Sequence, residues 1–204
     1  MSDAADIQEV LDFWFGTLTD GLAADAVRRG WFESSPERDE DIRRRFGPAL
    51  ERAAGGGLGS WLDTARGSLA FILVCDQFSR QIHRGEAGAF ATDPLALGAA
   101  ETLVERGSDR TLALDERVFV YLPFEHAESR LHQHASVGLF SALRDETPPG
   151  QRHLTGAFLR HAQQHRDIVL RFGRFPHRNR ALGRASTPEE LAFLETAGDF
   201  GQRR

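Results

Sequence analysis

Residues 151–172 read QRHLTGAFLRHAQQHRDIVLRF, and this stretch decides the fold class. Leu154, Phe158, His161, His165, Ile168 and Phe172 recur at intervals of 4, 3, 4, 3 and 4. Positions three and four apart share one face of an α-helix, so the spacing predicts a helix with His161 and His165 facing inward together. Working outward, no segment shows the period-two alternation and Asn-Gly turns of a strand. Helices are expected at 5–15, 23–33, 36–54, 67–83, 94–106, 114–145 with a break near Pro123, 151–172 and 187–197. Ser35-Pro36, Asp93-Pro94 and Thr187-Pro188 each set a capping side chain before a proline that suits the first helical position. Glu190 is placed to close a capping box with Thr187. Gly55-Gly56-Gly57 and Pro148-Pro149-Gly150 are turns, so residues 1–204 are read as a single all-α domain of antiparallel helix pairs.

Composition narrows the function classes. A net charge of −5 over 204 residues argues against a dedicated nucleic-acid binder, whose affinity rests on neutralising phosphates. No apolar run reaches membrane-spanning length. Met1-Ser2-Asp3-Ala4-Ala5-Asp6 is acidic and unlike a secretory signal, so a cytosolic location is expected. Cys75 is the single cysteine, set among apolar neighbours, and reads as an inert core thiol. Lysine is absent and Asn179 is the single asparagine, a bias that makes the arginine total uninformative and leaves its clustering as the signal.

That clustering falls at 171–184, where Arg171, Arg174, Arg178, Arg180 and Arg184 surround Gly173, Pro176, His177 and Asn179. Two further polar patches stand out. Helix 67–83 begins apolar on all sides and ends in Asp76, Gln77 and Arg80, with Asp76 and Arg80 spaced to pair. Helix 114–145 carries a polar middle of Glu125, His126, Glu128, Ser129, His132 and Gln133.

The same patches carry a family resemblance. The segments Phe13-Trp14-Phe15-Gly16, Asp76-Gln77-Phe78-Ser79-Arg80, Leu122-Pro123-Phe124-Glu125-His126-Ala127-Glu128 and Phe172-Gly173-Arg174-Phe175-Pro176-His177-Arg178-Asn179 resemble the bacterial family catalogued as domain of unknown function 924. The resemblance spans nearly the whole chain. It implies an all-helical fold similar to tetratricopeptide-repeat-like superhelices, and it implies no activity.

The chemistry must therefore come from the residues. His161 and His165 have the i,i+4 spacing of two metal ligands, but Ala162 stands where a zincin has its catalytic glutamate, and no helix holds a Glu-x-x-His pair. No metal or cofactor is expected. Glu125, His126 and His177 are the candidate catalytic acids and bases. Asp76, Arg80, Arg174, Arg178, Asn179 and Arg184 are the candidate ligand-binding residues, the arginines being suited to grip a carboxylate or phosphate. The expectation is a polar pocket for a small anionic molecule. The alternative is a non-catalytic interaction module in which Glu125 and Glu128 receive the loop arginines as a structural clamp. A protein partner fits that second reading.

Overall fold

The computed structural model describes residues 3–33 and 35–196. Met1, Ser2 and residue 197 of the expected last helix lie outside the described residues. The fold is all-α, with no strand among the described residues and a single bridge joining Thr19 and Leu22. Ten α-helices are described: α1 (Asp3–Phe15), α2 (Asp25–Gly30), α3 (Pro36–Ala54), α4 (Ala65–Ile72), α5 (Ser79–Ile82), α6 (Asp93–Glu105), α7 (Leu114–His126), α8 (Arg130–Glu146), α9 (Arg152–Phe172) and α10 (Pro188–Thr196). None is long and apolar enough to cross a membrane. The chain divides into unit 1, Met1–Arg84 with Gly88–Pro123, and unit 2, Gly85–Ala87 with Phe124–Arg204.

Unit 1 is built on aromatic side chains. Trp14, Phe15, Trp31, Phe78 and Phe119 are all buried, and Phe119 meets Trp14, Phe15 and Trp31 edge-on at 5.4, 5.5 and 4.8 Å between ring centroids. Edge-to-face packing suits the ring quadrupoles, and each such side chain contributes about 1.5–3 kcal/mol by burial. Phe32, beside Trp31 and Phe119, is 57% exposed. At Gly67, in α4, the chain passes close against Trp61. A Cβ there would lie 2.1 Å from the Trp61 carbonyl oxygen, so only glycine lets the two segments meet.

The expected helix 67–83 is interrupted. Between α4 and α5, Leu73–Phe78 forms a π-helical turn. The added residue widens the turn and takes carbonyls out of α-helical register. Two of them are met by side chains: Thr92 Oγ1 donates to the Cys75 oxygen at 2.6 Å, and Arg80 Nη1 to the Asp76 oxygen at 2.7 Å. The cap of α6 also differs. Thr92 occupies the N-cap position with no side-chain cap bond, because its hydroxyl goes to Cys75, and the Asp93 carboxylate goes to Arg80.

Unit 2 centres on the hairpin of α8 and α9. Phe140 stacks on Phe158 at 6.1 Å, and Arg130 Nη2 reaches the Leu170 carbonyl at 3.2 Å, so later residues of one helix meet earlier ones of the other. This is an antiparallel pair. The break before α8 comes after Pro123: α7 runs through the proline to His126, and Ser129 then turns extended. Gln133 explains the position, since its Nε2 donates to the carbonyls of Glu125 at 2.6 Å and Ala127 at 2.8 Å and so satisfies the end of α7. On α9, Ile168 is buried as expected, but the rest of the buried line is shifted by one residue. Thr155, Leu159, Ala162 and Val169 are buried, and His161 is exposed. His161 and His165 therefore do not face the interior together, because the smaller Ala162 takes the buried position. Gly173, at φ +73°, ends α9 in the left-handed region that favours glycine.

Candidate functional site

In unit 1 the polar residues form a lock around the π-helical turn. Arg80 sets Nη1 and Nη2 on the two oxygens of Asp93 at 2.8 and 3.0 Å, and its Nη1 is 2.9 Å from Asp76 Oδ1. Gln77 Nε2 donates to Asp76 Oδ2 at 2.6 Å. Burial works against the charge of Arg80, yet Asp76 and Asp93 raise its pKa overall. With two carboxylates around one guanidinium, an arriving anion would meet negative charge and would have to displace Asp93.

Unit 2 brings seven of the expected site residues into its own network: Glu125, His126, Arg174, His177, Arg178, Asn179 and Arg184. Arg184 sets Nη1 and Nη2 on Glu128 Oε2 and Oε1 at 2.6 and 2.8 Å, and Glu128 Oε1 also accepts the Phe175 N–H at 2.7 Å. Burial opposes the charge of Glu128, but Arg184 and the Phe175 amide hold its pKa below the usual carboxylate value. Arg174 does the same to Glu190, with Nε and Nη2 at 2.6 and 2.8 Å. That contact, more than any other, holds Glu190 down at about 2. Arg178 donates to the His126 carbonyl at 2.9 Å, and its guanidinium lies 4.6 Å from the Phe175 ring centroid.

Asn179 shows why an amide stands there. Nδ2 donates to Ser186 Oγ at 3.0 Å and Glu190 Oε2 at 3.2 Å, while Oδ1 accepts from Arg184 Nε at 2.9 Å. An aspartate has no donor for the first two, and a leucine has neither function. The capping box forms as expected: the Glu190 N–H donates to Thr187 Oγ1 at 3.2 Å, and the Thr187 N–H to Glu190 Oε2 at 2.8 Å. The arginine-rich loop is thereby fastened at both ends, by Glu128 ahead of α8 and by Glu190 in α10.

Behind this clamp lies a second group. His165 Nδ1 is 3.0 Å from the His161 carbonyl and 3.1 Å from Glu125 Oε1. A carbonyl only accepts, so Nδ1 carries the proton. Burial first, then the neighbouring His126, pushes the His165 pKa down to about 3, and the imidazole is neutral. Glu125 is buried, and its contact with His165 is a bond to a neutral ring rather than an ion pair with an imidazolium. His126 lies 6.4 Å from the His165 ring, and Phe175 stands between His165 and His177 at 5.4 and 5.3 Å. α8, tied to the Glu125 carbonyl through Gln133, holds two further buried polar atoms. Gln133 Oε1 and Ser136 Oγ belong to fully buried residues three positions apart, and neither meets a hydrogen-bond partner.

Sequence reading missed three participants. His165 meets a carboxylate, Glu125, and among the described residues no group of three or more His, Cys, Asp or Glu could hold a metal ion. Ser136 escaped notice, although its spacing from Gln133 was a signal. Glu190 was visible only as a cap, because Arg174 lies 16 residues away across a loop.

The chain matches the family model of bacterial proteins of unknown function (DUF924) over residues 10–198. It belongs to that family. A solved protein of unknown function from Agrobacterium tumefaciens is similar to it, with 40% sequence identity and a TM-score of 0.81, covering 96% of this chain and 100% of that one. No curated protein matches at a significant level. Family membership accounts for the fold and leaves the chemistry to the geometry.

Proposed function

We propose that unit 2 holds a small polar molecule beside His126, His165 and His177, with Glu125 and His165 handling a proton. In this reading Arg174, Arg184 and Asn179 build the site without gripping the ligand, and Arg178 orients the end of α7 through the His126 carbonyl. Asp76 and Arg80 serve as the lock of the π-helical turn. The observation that carries the proposal is the pair of buried atoms on α8, Gln133 Oε1 and Ser136 Oγ, left without partners, on a helix tied to the Glu125 carbonyl through the Gln133 amide. An unmet buried polar group costs about 1–3 kcal/mol, so a ligand that satisfies both is favoured. The proposed location is cytosolic, and the reading needs no cofactor, nucleic acid or membrane.

The test is a thermal-shift panel of small amides, alcohols, monocarboxylates and phosphates on the wild type, Ser136→Ala and Glu125→Gln. A hit that stabilises the wild type and loses its effect in both variants supports the site. If no compound separates the wild type from the variants, the reading fails.

A second reading is favoured by a different observation: Arg80, Arg174 and Arg184 are already engaged by carboxylates, and Leu131 and Leu191 are 75% and 54% exposed. The polar cluster is then purely structural, and antiparallel helix pairs of a tetratricopeptide-repeat-like kind present a surface to a protein partner. Replacing Leu131 and Leu191 by serine would then abolish partner capture while leaving the thermal-shift panel unchanged.

A further inference from the structure

Several arginines among the described residues present the same edge of the guanidinium, the pair Nε and Nη2. Arg84 sets that edge on Asp39 at 2.7 and 2.8 Å, and Arg174 sets it on Glu190 at 2.6 and 2.8 Å. Two parallel N–H donors match the two oxygens of a carboxylate, which gives this contact both strength and direction. Arg38, on the first turn of α3, completes the set with a difference. Its Nε and Nη2 are buried and meet no hydrogen-bond partner.

The surroundings of Arg38 say what is missing. Its guanidinium carbon lies 5.3 Å from the ring centroids of both Phe13 and Trp14, two aromatic neighbours that offer its N–H edge no carboxylate or carbonyl acceptor. Trp14 is fully buried, and its Nε1, again a donor only, also lacks a partner. Three buried donors without partners therefore sit on two neighbouring side chains, Arg38 and Trp14. The acidic side chains nearest in sequence have other partners: Glu37 accepts from Ser35 Oγ at 3.0 Å, Asp39 is held by Arg84, Glu40 lies 3.6 Å from Arg43, and Asp41 accepts from Arg44 at 2.5 Å. Burial lowers the pKa of Arg38 and outweighs the charges of Asp39 and Asp41, which raise it. The residue as a whole is half-buried, so a small molecule need not cross the core to reach it.

We infer that Arg38, with the indole N–H of Trp14, forms a binding site for a small monocarboxylate in unit 1. One carboxylate oxygen accepts from Nε and the other from Nη2, the arrangement seen at Asp39 and Glu190, and Trp14 adds a third donor to one of them. A carboxylate offers two acceptors to the two parallel donors, which a neutral ligand with a single acceptor does not. This site is separate from the one proposed in unit 2 and uses none of its residues.

The test is a formate titration at constant ionic strength, read in the ¹H–¹⁵N spectrum. The chain has three tryptophans, and Trp14→Phe identifies the Trp14 indole signal by its loss. Saturable movement of that signal and of the Arg38 Nε–H is expected, with the effect absent in chloride alone. In parallel, formate at a hundredfold excess over its Kd should raise the melting temperature by about 5–10 °C. Arg38→Lys keeps the charge but removes the two-pronged edge, and both responses should vanish. Movement that stays linear, or that survives in Arg38→Lys, overturns the inference. Should the variant fail to fold, the wild-type titration decides alone, and silence of both signals overturns it equally.

Discussion

Arg184 grips Glu128 through two parallel hydrogen bonds of 2.6 and 2.8 Å, across 56 residues of sequence. This pair fastens the arginine-rich loop to the segment between α7 and α8, and Asn179 steadies it by accepting from Arg184 Nε. Both side chains are about a quarter exposed, so solvent screens part of the attraction.

Replacing Arg184 by methionine should therefore destabilise the protein by about 1–2 kcal/mol, less than a fully buried pair would lose. Urea denaturation of the wild type, Arg184→Met, Glu128→Gln and the double variant gives the coupling. A double variant no less stable than either single one would show the two residues acting as a unit. Additive losses would contradict it.

Glu190 governs an acid-sensitive step. Its folded pKa, about 2, lies below the unfolded value, so its contribution is fully present above about 4.5 and is lost as pH falls towards 2. Melting temperature measured between pH 5 and 2 should fall less steeply in Glu190→Gln than in the wild type. An unchanged slope would mean that Arg174 does not hold this carboxylate.

His165 acts in a higher window. Its folded pKa of about 3 lies below the usual histidine value, so the unfolded chain takes up a proton that the folded one refuses. Stability should be complete above about pH 6.5 and decline as pH falls below it. His165→Gln should flatten that part of the profile, and the His165 ring signals in NMR should stay those of a neutral imidazole at pH 5. Protonation of His165 near pH 6 would refute the burial argument.

Thr92 and Cys75 report on the π-helical turn. Thr92→Val deletes the 2.6 Å bond to the Cys75 carbonyl and should destabilise the fold by about 1–2 kcal/mol. Burial pushes the Cys75 thiol up to about 12, so Ellman's reagent should find no thiol in the native protein at pH 8 and one after unfolding. Rapid native labelling would show that the turn opens readily.

Much of the architecture was legible because its causes are local. The bounds of α3, the capping box of Thr187 and Glu190, and the pairing of Asp76 with Arg80 all depend on residues within four positions of each other. Family membership was legible for a related reason, since the motifs are contiguous. The π-helical turn was not, because its carbonyls are satisfied by Thr92, 17 residues beyond Cys75. The shift of the α9 face escaped for the same reason. Periodicity allows either His161 or Ala162 inside, and only packing chose the smaller side chain.

By itself, then, the sequence determined that this protein is all-α, where most helices begin and end, and to which family it belongs. Tertiary structure alone decided which carboxylate each arginine holds. With 25 basic and 30 acidic residues, charge complementarity permits a great many pairings. Only the packed backbone brings Glu128 to Arg184, Glu190 to Arg174 and Asp93 to Arg80, and leaves the edge of Arg38 open. A two-pronged hydrogen bond forms only when both groups are already held at the right distance and angle, and that condition is met by the fold.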